Sequence, residues 1–235
     1  MSDKIIKSII NDREIKPTTK DKLAKLSHSE IDKLLYTIIS SGLTDYASSL
    51  LDLIDDKCEF KTIHDDGNGR NLLNFVCYHR LEPIALKIIK KKVDINQPDA
   101  NGENPLTYAC WSSLNNLALK LISDEKCNID YPNSNGNSPL LLAVSTYKSA
   151  NVVLELIKSN RVNVKSKGSG GTPLSYMMTS QPFYMESIVK ILELKIYTID
   201  ELESFYSFTS NLFSTNNIKV IHELYKMKIL TADKI

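Results

Sequence analysis

The stretch Gly102-Glu103-Asn104-Pro105-Leu106-Thr107-Tyr108-Ala109-Cys110 sets the frame for the whole chain, because its pattern recurs at a nearly fixed distance. Aligned on the glycine, the copies fall at Gly69, Gly102, Gly136 and Gly170, separated by 33, 34 and 34 residues, with leucine four positions on at Leu73, Leu106, Leu140 and Leu174. A period of this length is that of a stacked array, in which one unit buries its apolar face only against its neighbours. A single central core is therefore excluded over this region.

Within each unit the local signals repeat as well. Pro105, Pro139 and Pro173 directly precede the leucine, and proline, with no N–H to lose, fits the first turn of a helix. A second apolar block follows after a polar break, at Ile84 to Ile89, Leu117 to Ile122, Val152 to Ile157 and Ile188 to Leu192. Each unit reads as a turn, a short helix, a loop and a longer helix.

Here the chain resembles the ankyrin repeat family. The residues that carry the resemblance are Gly171-Thr172-Pro173-Leu174, Ser138-Pro139-Leu140, the small pair Ala109-Cys110, and the unit endings Val93-Asp94-Ile95-Asn96, Cys127-Asn128-Ile129-Asp130 and Val162-Asn163-Val164. It covers residues 65 to 198. Two departures stand out. The histidine that usually follows the family's Thr-Pro-Leu is Asn74, Thr107, Leu141 and Ser175 here; Asn74, Thr107 and Ser175 retain groups able to hydrogen-bond a neighbouring turn, and Leu141 does not. The glycine after the second helix is missing.

The flanks lack the turn motif but keep helical spacing. Ile5, Ile6, Ile9 and Ile10 mark a first helix behind a Ser2/Asp3 cap, with Pro17 closing the segment, and Thr18 or Thr19 starts a short helix bearing Leu23 and Leu26. Ser27-His28-Ser29-Glu30 forms a capping box for a helix carrying Ile31, Leu34, Leu35, Ile38 and Ile39, stopped by Ser41-Gly42, and Thr44 to Ile54 follows as its partner. The expected organisation is capping helices over 1–28, a degenerate first repeat over 29–64, four repeats over 65–98, 99–132, 133–166 and 167–198, and a degenerate capping repeat over 199–235 with a capping box at Asp200 and Glu203. The fold class is an all-α, ankyrin-repeat solenoid of stacked helix-turn-helix units.

Composition narrows the function. Apolar residues at 42% supply a continuous core, and a net charge of +1 gives no field to gather nucleic acid or an anionic membrane. Leu140 to Val144, the longest purely apolar run, is far short of the roughly 18 residues a bilayer requires. Asp3, Lys4 and Lys7 interrupt any signal-peptide core. Cys58, Cys77, Cys110 and Cys127 occupy recurring positions without metal spacing, which reads as packing in a reducing compartment. These features favour a cytoplasmic chain with no cofactor; they leave the oligomeric state open, since an uncovered terminal repeat could stack on its copy, and a monomer is the favoured expectation.

Motifs that suggest chemistry dissolve into the repeat frame. In Lys167-Gly168-Ser169-Gly170-Gly171-Thr172 the lysine precedes the glycines, the reverse of a phosphate-binding loop. Asp65-Asp66-Gly67-Asn68-Gly69 lacks the later glutamate of a calcium loop. Lys87, Lys90, Lys91 and Lys92 fall at a helix end, where cations meet the carbonyl end of the dipole. His28, His64, His79 and His222 lie in different units, so no catalytic constellation assembles from spacing.

The resemblance implies a non-catalytic module that binds a partner protein on the concave face lined by turn tips and first helices. Carried over copy by copy, the partner-binding positions are Arg70, Asn101, Glu103, Asn135 and Asn137 in the turns, with Tyr78, His79, Trp111, Ser112, Ser145, Thr146, Thr179 and Ser180 at the first-helix ends. Tyr78 and Trp111 are the expected aromatic anchors, with Arg70 and Glu103 as their polar rim. A composition rich in isoleucine, lysine and asparagine suits an AT-rich genome, such as that of a large DNA virus or intracellular bacterium, and hence a protein that targets a host factor from the host cytosol. The alternative is an adaptor whose N-terminal helices recruit a second protein, for example ubiquitin-ligase machinery.

Overall fold

The computed structural model describes residues 2–56, 58–64, 66–146, 149–168, 171–179, 184–194 and 197. They form helices joined by turns, with no named strand among them, in two compact units, Met1–Leu117 and Ala118–Ile235. The expected C-terminal repeat at 199–235, its capping box and His222 lie outside the described residues.

The first unit opens with α1 (Ser2–Asp12) and α2 (Thr19–Leu23). Asp3 sits in the first turn of α1. The helix ends at Asp12, where Arg13 turns left-handed at φ 54°; the break thus precedes Pro17, which falls outside both helices. Ile9 is fully buried, and Tyr46 donates from its phenol to the Ile9 carbonyl at 2.8 Å. Lys22 Nζ reaches back to Ser8 Oγ and Asp12 Oδ2, both at 2.8 Å. Thr18 precedes α2 without a side-chain cap bond.

Next come α3 (His28–Ser40) and α4 (Thr44–Leu51). The Ser27/Glu30 capping box is formed: the Ser27 amide donates to Glu30 Oε2 at 2.8 Å and the Glu30 amide to Ser27 Oγ at 3.3 Å. Gly42 ends α3 at φ 82°, and the Leu43 amide reaches back to the Ile38 carbonyl at 3.1 Å. The helix α4 stops at Leu51 rather than Ile54, whose side chain is nevertheless buried.

Four helix pairs follow: α5 (Leu72–Tyr78) with α6 (Glu82–Ile88), α7 (Pro105–Ser112) with α8 (Asn115–Ile122), α9 (Pro139–Ser145) with α10 (Ala150–Lys158), and α11 (Pro173–Thr179) with α12 (Met185–Glu193). The second helix exceeds the first only in the last two pairs. Pro105, Pro139 and Pro173 are each the first helical residue. Asn71, Asn104 and Ser138 cap from the preceding position by accepting the amide three residues on, and Thr172 does so for Ser175 at 3.3 Å. Leu73, Leu106, Leu140 and Leu174 are buried at 1% exposure or less. In the first unit α5 packs on α3, α6 and α7; in the second α9 packs on α10 and α11, and α10 on α12.

Non-glycine residues in the left-handed region stand at several helix ends, and of those in the repeats Asn160 takes the place of the glycine missing after a second helix. Arg80 (φ 58°) and Ser113 (φ 59°) close α5 and α7, and Asn160 (φ 54°) follows α10. After α5 the Leu81 amide bonds Val76 O at 2.9 Å and the Arg80 amide bonds Cys77 O at 3.1 Å, a Schellman closure built without glycine. The histidine-position residues divide. Asn74 Nδ2 donates to Gln97 O at 2.8 Å and so reaches the next turn. Thr107 and Ser175 bond only within their own capping turns among the described contacts, to Asn104 and Thr172, because their hydroxyls are too short to leave the helix start.

Candidate interaction surface

The first three turns are each shaped by one acceptor three residues before the glycine. Asp99 Oδ1 accepts the amides of Asn101 at 2.8 Å and Glu103 at 2.9 Å, and Asn133 Oδ1 those of Asn135 and Asn137, both at 3.0 Å. Asp66 Oδ1 takes the Asn68 amide at 2.9 Å. Backbone pairs close the turns: Asp99 with Glu103 at 2.9 Å, Asn133 with Asn137 at 3.0 Å, and His64 with Arg70 at 2.9 Å. Spacings of 33 and 34 among Asp66, Asp99 and Asn133 carried this signal in the sequence.

In the first unit these turns enclose a charged cluster. Arg70 Nε donates to Tyr108 Oη at 3.0 Å, and Tyr108 donates onward to Asp99 Oδ2 at 2.5 Å. Arg70 Nη1 lies 3.3 Å from Asp66 Oδ2. Burial, reinforced by the bond to Asp99, pushes the Tyr108 phenol well above the usual tyrosine range. The guanidinium carbon lies 3.8 Å from the centroid of Tyr78, and Tyr78 meets Tyr108 edge-on at 6.0 Å. Arg70 is only 6% exposed. It lies beneath the aromatic ring, with its charge matched by two aspartates, and the expectation of an open rim residue is corrected on that point.

An aromatic row extends from there. Tyr78 contacts His79 at 5.1 Å, His79 contacts Phe75 at 4.4 Å, and Phe75 contacts Tyr36 at 4.7 Å. Tyr36 stacks on His64 at 4.0 Å, and His64 Nε2 lies 3.0 Å from the buried Asp32. Tyr36 and Phe75 were not among the sequence candidates, since neither sits at a helix end.

The remaining candidates separate by exposure. Tyr78 is 41% exposed and Trp111, its equivalent one unit on, 49%. His79 and Asn101 are exposed, and Glu103 is half-buried. Ser112 is buried, and its Oγ finds no partner among the described residues, so it presents no hydroxyl to a partner. In the second unit Asn135 and Ser145 are exposed, whereas Asn137 and Thr146 are half-buried. Ser145 Oγ and Thr146 Oγ1 donate to their own helix, to Leu142 O at 2.9 Å and Ala143 O at 3.0 Å. Thr179 is the last residue of α11. Ser180 lies outside the described residues.

Among the described residues no group of three or more His, Cys, Asp or Glu side chains could hold a metal ion, and no helix is long and apolar enough to cross a membrane. The four cysteines are buried and form no disulfide, and desolvation raises Cys58 to about 11 and Cys127 to about 12, away from thiolate chemistry.

The fold and turns together define an all-α repeat solenoid of helix pairs. Its form is the ankyrin-repeat fold. An ankyrin repeat domain from Acinetobacter baumannii AYE superposes with a TM-score of 0.59 at 19% identity, over 80% of this chain and 96% of that one. The ankyrin repeat protein EF0377 gives 0.58 at 15% identity, over 82% and 96%. No protein-family model matches the sequence, and no curated protein matches it.

Proposed function

We propose that the chain is a non-catalytic protein-binding module, with Tyr78 and Trp111 as the anchors of its partner site. The observation that carries this reading is the exposure of these two large aromatics at equivalent positions of successive first helices; among the described residues Ile15 and Ile63 are the other large apolar side chains so exposed, and neither lies in a helix. Half-exposed aromatic rings on rigid helices supply contact area at little entropic cost. Arg70 stiffens the site from below by holding Tyr78 in place. The face is the one that ankyrin resemblance makes concave, and the composition extends the reading to a pathogen protein that engages a host factor.

The adaptor alternative has less support. The helix α1 is fixed by the buried Ile9, the Tyr46–Ile9 hydrogen bond and the Lys22–Asp12 pair, which favours a cap over a free recruiting arm.

The test is affinity capture from cytosolic extract with the wild type and the Tyr78→Ala/Trp111→Ala double variant, both checked for folding. A protein retained by the wild type and lost by the folded variant is the expected result; equal retention by both removes the reading. Leu106→Ala is the structural contrast. Leu106 is fully buried, so its truncation costs about 2–5 kcal/mol through a cavity and weakens every property together.

A further inference from the structure

Three of the four turn tips carry the same dipeptide, Asn68-Gly69, Asn101-Gly102 and Asn135-Gly136. We propose that Asn135-Gly136 is a site of spontaneous backbone modification, an asparagine that converts to aspartate and isoaspartate in the folded chain ahead of the other two. In this reaction the glycine amide nitrogen gives up its proton to solvent base and bonds to the asparagine Cγ. The Cγ–Nδ2 bond breaks and ammonia leaves, producing a five-membered imide. Water then adds to either imide carbonyl and opens the ring, so the net change is asparagine plus water to an acid plus ammonia. Glycine favours it because no Cβ obstructs the approach of its nitrogen.

The three tips differ in what restrains the reacting groups. At Asn68 the electrophile is pinned, since Nδ2 donates to the Asp66 carbonyl at 2.9 Å and the residue is half-buried. Asn101 and Asn135 are both exposed. There the nucleophile is restrained: the Gly102 amide donates to Asp99 O at 3.0 Å and the Gly136 amide to Asn133 O at 2.9 Å. What holds those turns closed is unequal. The Asn101 turn is gathered by a carboxylate, Asp99, itself fixed by Tyr108, and the Ala100 amide is tied to Asn68 O at 2.9 Å. The Asn135 turn is gathered at slightly greater distance by the neutral amide of Asn133. Hydrogen bonds to an ionised acceptor are roughly twice as strong as neutral ones, so the Asn133 turn opens more often and frees the Gly136 nitrogen. A Cβ built on Gly136 meets nothing within 4 Å, whereas one on Gly69 meets Ala100 at 3.6 Å.

The proposal does not depend on the partner reading. It is tested by holding the folded chain in mildly alkaline buffer and following each Asn-Gly peptide by proteolysis and mass spectrometry, with isoaspartate methyltransferase labelling as the second readout. Conversion at Asn135 is expected to lead Asn101 by about threefold or more, with Asn68 slowest, and the three rates are expected to converge in denaturant. Asn133→Asp should slow Asn135, and Asp99→Asn should speed Asn101. Conversion of Asn101 or Asn68 as fast as Asn135 in the folded wild type overturns the proposal, as does a folded chain in which Asn135 stays intact while the denatured chain converts. A folded Asn133→Asp chain with an unchanged Asn135 rate also overturns it.

Discussion

Tyr108 is the residue on which the first unit's polar interior turns, because its phenol both accepts from Arg70 and donates to Asp99. Removing the hydroxyl in Tyr108→Phe leaves two buried charged groups each short of a partner, a loss of about 1–3 kcal/mol readable from urea unfolding near neutral pH. The sign of its pH dependence follows from the raised phenol. A group whose folded pKa lies above its unfolded value of about 10 stabilises fully below that value and loses its contribution as pH rises through the folded pKa. The stability gap between wild type and Tyr108→Phe should therefore narrow above about pH 10; a gap that stays constant there would show that the phenol is not held protonated by the fold. A second residue runs the other way. Ser113 occupies the left-handed region at φ 59°, where a Cβ costs roughly 1–2 kcal/mol. Ser113→Gly relieves that strain at the expense of extra unfolded-state freedom, for an expected net gain of about 0.5–1 kcal/mol in the same assay. Neither Tyr108 nor Ser113 announced its role in the sequence. The partners of Tyr108 come from two different turns, and left-handed geometry at a serine leaves no compositional mark.

At the scale of elements, helix ends are held by side chains from the next repeat. Lys91 Nζ donates to Ile54 O and Asp56 Oδ1, both at 2.7 Å, and Lys87 Nζ to Ser48 O at 2.9 Å. Arg161 spreads its guanidinium over the Ile122, Asp124, Glu125 and Cys127 carbonyls. Glu82 does the complementary service at a helix start, accepting the Leu117 amide at 3.0 Å. Cations at carbonyl ends and acids at amide ends are what the helix dipole favours. The lysine run over 87–92 was legible as a feature of a helix end; that Lys87 and Lys91 stitch that helix to the preceding repeat was not, because this depends on how neighbouring repeats pack. Lys91 is largely buried, so Lys91→Met should lower stability by up to about 2 kcal/mol, whereas substitution of the exposed Lys90 should change it by less than about 0.5 kcal/mol. Equal effects in thermal unfolding would remove the stitching role. Helix boundaries were the least legible part. Pro17 is a visible breaker, yet α1 stops earlier at Arg13, whose left-handed backbone gives no signal in its identity.

For the molecule as a whole, the period was enough to read the repeat fold, because each leucine, proline and capping residue repeats one local solution. The candidate surface was only half legible for a related reason. Position in the repeat identifies residues near the tips, but it does not say which way a long side chain folds, and Arg70 turns inward to Asp66 and Tyr108. That inward turn removes the Arg70 charge from the surface of the proposed partner site. Its aromatic anchors Tyr78 and Trp111 are neutral, the guanidinium beneath Tyr78 is paired with aspartates, and the whole chain carries only +1. Long-range steering is therefore weak, while burial of aromatic surface persists when salt screens charge. Once the partner is in hand, its affinity should change by less than about threefold between low and moderately high sodium chloride, and sulfate, which is excluded from apolar surface, should strengthen it. A tenfold loss over that range in chloride would place the energy of the complex in ion pairs, and so away from Tyr78 and Trp111.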